Sequence, residues 1–126
     1  MAGEQVLVVE DNEKSMKLFR DVLQATGYRT LEATTGAEAV RLAAEHAPKL
    51  VLMDIQLPDV DGSEALSRLR ADDRTASIPV LALTAQAMHG DRERFLAAGF
   101  DGYMSKPVNV PELLGTVRHY CDGGSR

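Results

Sequence analysis

The sequence predicts an α/β protein, a doubly wound parallel sheet with helices on both faces. Three observations carry this. Val6-Leu7-Val8-Val9 and Leu50-Val51-Leu52-Met53 are unbroken apolar runs of strand length, the pattern of strands buried on both sides. Strand-like and helix-like patterns alternate strictly along the chain as five strand–helix units with short connections. The second apolar run ends abruptly on Asp54, and Pro58 and Gly62 prevent its continuation, so Asp54 stands at the mouth of a loop.

Taken in order, Val6–Val9 is the first strand, and it ends on Glu10-Asp11. Asn12 can cap a helix on which Leu18, Phe19, Val22 and Leu23 recur at helical spacing, and Gly27 stops it. Tyr28 to Ala33 alternates weakly, as expected of a short strand near a sheet edge. Thr35 and Glu38 have capping-box spacing ahead of a helix through Ala39, Val40, Leu42 and Ala43, and Pro48 forces the exit. After the Asp54 strand, Asp61 or Gly62 opens a third helix carrying Ala65, Leu66 and Leu69. Ile78 to Thr84 reads as the fourth strand, Ala85 to Ala98 as loop and helix stopped by Gly99, and Gly102 to Ser105 as a short fifth strand ended by Lys106-Pro107. Pro111 suits the first turn of a last helix through Leu113, Leu114, Val117 and Tyr120.

A chain of 126 residues with 44% hydrophobic and 26% charged residues is expected to form one globular domain over 1–126, with Asp122-Gly123-Gly124-Ser125-Arg126 as a loose tail. No apolar run has membrane-spanning length, and Met1 to Gln5 lacks the basic start of a signal peptide, so a cytoplasmic protein without membrane insertion is expected. The single Cys121 fits a reducing compartment. A net charge of −5 argues against nucleic acid as the main partner.

In a parallel sheet the C-terminal ends of all strands lie along one edge, where open α/β sheets bind ligands. Those ends carry Glu10-Asp11, Asp54, Thr84 and Lys106. Each has an ordinary explanation: helix-start acids, a cap, a solvated lysine. Their coincidence at four strand ends points instead to a site. Clustered carboxylates repel one another, and a hard divalent cation relieves the repulsion. An all-oxygen donor set suits Mg²⁺. His46, His89 and His119 are scattered, leaving no zinc-type cluster. A carboxylate beside Mg²⁺ is a competent nucleophile toward phosphorus and yields an aspartyl phosphate. Lys106 can neutralise charge and Thr84 can donate a hydrogen bond.

This constellation resembles the receiver domains of two-component response regulators over about residues 5 to 121, with the motif present as Glu10-Asp11, Asp54, Thr84 and Lys106-Pro107. The resemblance implies a flavodoxin-like sheet in strand order 2-1-3-4-5. It implies that Asp11, Asp54 and the carbonyl of Gln56 hold Mg²⁺, with Glu10 acting through water. Many members carry Asp where this chain has Glu10. It further implies a cis Lys106-Pro107 bond, phosphorylation of Asp54 by a sensor histidine kinase or histidine phosphotransferase docked at the first helix, and a Thr84–Tyr103 switch acting on a downstream protein target. Glu10-Asp11-Asn12, Met53 to Pro58 and Thr84 to Asp91 look like the single-domain DivK-type regulators of cell division and polarity.

Gln56 and Gln86 each lie two residues past a site residue and are expected to set the lifetime of the phosphoryl group. The alternative of a phosphorelay intermediate or phosphate sink stays open. A phosphatase with an aspartyl nucleophile is disfavoured. Haloacid-dehalogenase-like enzymes carry an acid two residues after the nucleophile, where this chain has Gln56. No enzyme turning over small substrates is expected. With 126 residues and one domain, no effector domain is expected, and the expected output is altered protein binding.

Overall fold

Strands without a polar side need cover on both faces, and the chain supplies it from its own helices. The computed structural model describes residues 3–85 and 91–121. The elements are β1 (Gln5–Val9), α1 (Glu13–Ala25), β2 (Arg29–Ala33), α2 (Gly36–His46), β3 (Leu50–Asp54), α3 (Gly62–Ala71), β4 (Val80–Thr84), α4 (Asp91–Ala98), β5 (Gly102–Ser105) and α5 (Val110–Cys121). All neighbouring strands run parallel, in the order β2-β1-β3-β4-β5. The weakly alternating β2 is an edge strand and the uniformly apolar β1 and β3 are central, as their patterns require.

The period of two along each strand divides the core. Leu7, Val9, Val51, Met53, Val80 and Ala82 face Ala39 and Ala43 of α2, Ala65, Leu66 and Leu69 of α3, and Phe95 of α4. Val6, Val8, Leu50, Leu52, Leu81 and Leu83 face Met16, Phe19 and Leu23 of α1 and Leu113, Val117 and Cys121 of α5. The small alanines on α2 let it pack close to α3.

The caps follow the sequence closely. Asn12 accepts from the Ser15 N–H and Thr35 from the Glu38 N–H. The reciprocal arm of the predicted capping box differs: Glu38 Oε1 accepts from the Thr34 N–H at 2.8 Å, one residue before the cap. α2 ends on Ala47 in the left-handed region, and Pro48 follows. β4 starts at Val80, later than expected, because Pro79 has no N–H and the Ile78 N–H bonds Thr75 O at 3.1 Å. Gln86 and His89, the tail 122–126 and the start of the expected fourth helix lie outside the described residues.

Candidate functional site

Parallel pairing brings the ends of β1, β3, β4 and β5 to one edge of the sheet. Glu10 follows β1, and its backbone N–H bonds Ala33 O of β2 at 2.9 Å. That bond turns its side chain into the protein, where it is 1% exposed. Asp11, one residue on, is exposed. Asp54 closes β3 and is 6% exposed. Ligand oxygens of Glu10, Asp11 and Asp54 all lie within 4.8 Å of one another. Among the described residues this is the one grouping of three such side chains close enough to share a metal ion.

Lys106 reaches into the cluster from the end of β5. Its backbone N–H bonds Thr84 O at 2.7 Å, which fixes the β5–α5 connection to β4. Its Nζ stands 2.5 Å from Glu10 Oε1 and donates to Asp54 Oδ2 at 2.8 Å. The Lys106-Pro107 peptide is cis. Thr84 is buried at the end of β4, paired in register with Ser105. The second Asp54 oxygen, Oδ1, accepts from the Gln56 N–H at 2.8 Å, while the Gln56 side chain is exposed.

The electrostatics follow from this packing. Burial pushes the Glu10 carboxyl above its ordinary value; the hydrogen bond and charge of Asp54 push it the same way, and Lys106 opposes them. For Lys106 burial works to lower the ammonium's value, but the hydrogen bonds and charges of Asp54 and Glu10 together outweigh it and hold it above the ordinary lysine value. The site is thus an acid cluster with one ammonium wedged into it.

A groove of about 400 Å³ lined by Glu10, Asp11, Met16, Lys17 and Thr34 opens beside the acids. A second, more apolar hollow of about 210 Å³ lies between α1 and the β5–α5 connection, lined by Leu18, Phe19, Pro107 and Val108 next to Lys106. Tyr103 is half-buried; its ring centroid is 5.5 Å from that of Phe95 on α4.

The sequence reading thus places Glu10, Asp11, Asp54, Thr84 and Lys106 at one edge. Gln56 reaches the cluster through its backbone, and Tyr103 stands one strand away. His46 and His119 are exposed, as expected of scattered histidines. One residue that shapes the site was missed. A Cβ on Gly62 would lie 2.8 Å from Ile55 Cα and 2.9 Å from Asp54 O, both backbone atoms that cannot give way. The Gly62 N–H also bonds Ile55 O at 3.0 Å. Glycine here does more than stop a strand: it lets α3 approach the backbone of Asp54. Gly62→Ala is expected to cost about 1–3 kcal/mol of stability through overpacking, read by urea denaturation, and to displace the Asp54 backbone, read by its amide chemical shift. Stability and an Asp54 shift equal to the parent would show that the backbone accommodates the methyl group freely.

Comparison with known proteins agrees with this fold. The response regulator receiver domain pattern matches residues 6–118. The polar-differentiation response regulator DivK of Brucella anthropi is 51% identical over 115 residues, spanning 91% of this chain and 94% of the relative. The DivK of Brucella ovis is 50% identical over the same length and shares. Among solved structures, the receiver domain of the Pseudomonas aeruginosa sensor histidine kinase PA1611, solved with a magnesium ion in its active-site cleft, is 36% identical with a TM-score of 0.88, covering 97% of this chain and 100% of that one. A Saccharomyces cerevisiae complex of the histidine phosphotransfer protein Ypd1 with the receiver domain of Ssk1 gives 27% identity and a TM-score of 0.87, covering 99% and 93%. With its five-stranded flavodoxin-like sheet and a family match over most of its length, the chain belongs to the receiver domains of response regulators.

Proposed function

We propose that this receiver domain accepts a phosphoryl group on Asp54 from the phosphohistidine of a sensor kinase or phosphotransferase, and signals through altered protein binding. The observation that carries the proposal is the cluster itself: three carboxylates within 4.8 Å of one another and the Lys106 ammonium 2.8 Å from Asp54. A carboxylate oxygen of Asp54 forms the new O–P bond as the P–N bond of the donor breaks, and the histidine leaves with a proton. Lys106 offsets charge on the phosphoryl oxygens, and the Thr84 hydroxyl donates to one of them.

The donor set of Glu10, Asp11 and Asp54 is all oxygen, which fits a hard divalent cation such as Mg²⁺. Asp11, Asp54 and the Gln56 carbonyl would hold it directly, with Glu10 acting through water. Bound Mg²⁺ supplies charge neutralisation for phosphoryl transfer. Few protein oxygens and a reluctance to dehydrate make binding weak.

The α1 face beside the site suits the donor protein. Leu18 is an exposed apolar residue on it, bordering the hollow next to Lys106. Output runs through Thr84 and Tyr103. The phosphate–Thr84 bond is the differential interaction that moves the equilibrium, on the order of 1–3 kcal/mol. Tyr103 then repacks, altering the surface of α4, β5 and α5. Gln56 and Gln86 set the phosphoryl lifetime by admitting or excluding water. The domain acts as a signalling protein in the cytoplasm, with catalysis limited to its own phosphorylation and slow dephosphorylation. The 51% identity to a polar-differentiation regulator supports a role in cell-cycle or division control.

The test is uptake from acetyl phosphate, followed by intact mass. One phosphoryl group is expected with Mg²⁺ and none in excess chelator. No uptake with Mg²⁺, or equal uptake in chelator, overturns the proposal.

A further inference from the structure

The loop between β3 and α3 carries Gln56, whose N–H donates to Asp54 Oδ1 at 2.8 Å and whose carbonyl is a proposed Mg²⁺ ligand, and the inner side of this loop is anchored. The Ile55 N–H bonds Leu83 O at 3.1 Å, and the side chains of Ile55, Leu57 and Val60 pack on the core. The outer side is held by Asp59. Asp59 Oδ1 accepts from the Gly36 N–H at 2.8 Å, and Oδ2 accepts from the Ala37 N–H at 3.0 Å. These are N–H groups of the first turn of α2, which have no partner within their own helix. The two amides, Gly36 first, hold the Asp59 carboxyl below its ordinary value, so the clamp is charged at neutral pH. The contact is also close-packed: a Cβ on Gly36 would stand 2.4 Å from Val60 Cγ2. Two adjacent loop residues are therefore seated on the start of a helix that contributes nothing else to the acid cluster.

We infer that Asp59 is a positioning residue for the metal site, fastening the Gln56 loop to α2 so that the carbonyl is already in place when Mg²⁺ arrives. This rests on the proposed Mg²⁺ site. The physical reason is preorganisation. Between Leu57 and Val60 the loop has exposed Pro58 and exposed Asp59, so without the clamp the loop is fastened less tightly when the metal binds. Residues that orient a ligand from behind typically change metal affinity by about 10–100-fold when removed. Asp59 acts on a loop, one step further away, so the low end applies.

The experiment is titration of the full chain with MgCl₂ alone, followed by amide chemical shifts, together with hydrogen exchange at Gly36 and Ala37. Asp59→Ala is expected to weaken Mg²⁺ about tenfold and to speed exchange at both amides. Asp59→Asn keeps the size and one accepting oxygen, and should fall between. Should Asp59→Ala not fold, Asp59→Asn decides alone. Faster exchange with Mg²⁺ affinity equal to the parent overturns the inference and leaves Asp59 a helix cap only. A parent chain that binds no Mg²⁺ would overturn the underlying site and, with it, this inference; parent binding with no loss in either variant overturns this inference alone.

Discussion

Asp54→Asn is expected to take up no phosphoryl group from acetyl phosphate in the presence of Mg²⁺, while staying folded. The amide is nearly the same shape as the carboxylate, and its oxygen can still accept from the Gln56 N–H, so the end of β3 should be unchanged. What is lost is the nucleophile: an amide has no anionic oxygen to form the O–P bond. The substitution carries a second consequence that does not depend on a donor. Burial is the main reason the Glu10 carboxyl titrates above its ordinary value, and Asp54 is the next. Removing the Asp54 charge should lower the Glu10 midpoint, which carboxyl carbon shifts can follow through a pH titration. The sign for stability follows from the raised value. Above the unfolded-state value and below the folded-state value, the folded chain keeps a proton that the unfolded chain has released. Glu10 therefore makes the parent lose stability as pH rises through that interval. In Asp54→Asn the interval narrows and the loss shrinks. Phosphate on another residue of the variant, at the parent's rate, would show that Asp54 is not the acceptor. A Glu10 midpoint that does not move would show that the two carboxyls are not coupled.

The parts of the site legible in the sequence are those that a strand end fixes. Val6–Val9 and Leu50–Met53 are so uniformly apolar that only the centre of a covered sheet suits them, and the polar residue after each must emerge at the sheet edge. Glu10, Asp54 and Lys106 converge for this reason, although 52 residues separate the last two. Contacts made by loop paths are a different matter. Nothing local to Asp59 tells that its carboxylate reaches Gly36, because that depends on how α2 and α3 stand against each other. Gly62 looked like a stop signal, and its lack of a Cβ beside Asp54 could be read only once the approach of α3 was known. The reciprocal arm of the capping box falls one residue early, on the Thr34 N–H, because the long Glu38 side chain reaches past the cap residue.

Arg70→Ala is expected to cost about 3 kcal/mol of folding stability, the low end of the range for removing one partner of a buried ion pair, because both side chains keep some exposure to water. For a domain of this size that lowers the melting temperature by roughly 10 °C or more. In sequence Arg70 is one of two arginines near the end of α3, and Arg68 is what it resembles: a surface residue bonded to Glu64 one turn back. The structure separates them. Arg70 turns toward the connections that lead into β4 and β5, at the opposite strand ends from the acid cluster, and its side chain is 19% exposed against 15% for Asp101. Its Nη1 donates to Ala76 O at 3.1 Å and Ile78 O at 2.7 Å, and its Nη2 to Gly99 O at 3.2 Å and Asp101 Oδ2 at 3.0 Å. One planar guanidinium thus ties the α3–β4 and α4–β5 connections together. Asp101 Oδ2 also accepts from the Val80 N–H at 2.8 Å, so the pair sets where β4 begins. Truncation leaves three carbonyls and a carboxylate short of a donor in a poorly solvated place. Arg70→Lys separates charge from geometry. An ammonium keeps the attraction to Asp101, but a single nitrogen cannot span carbonyls in two connections. Urea unfolding should therefore place Arg70→Lys well below the parent and above Arg70→Ala. A lysine variant as stable as the parent would mean that charge alone suffices and the fork geometry contributes nothing. An alanine variant within about 0.5 kcal/mol of the parent, the range of ordinary surface substitutions, would mean that water replaces these bonds at no cost.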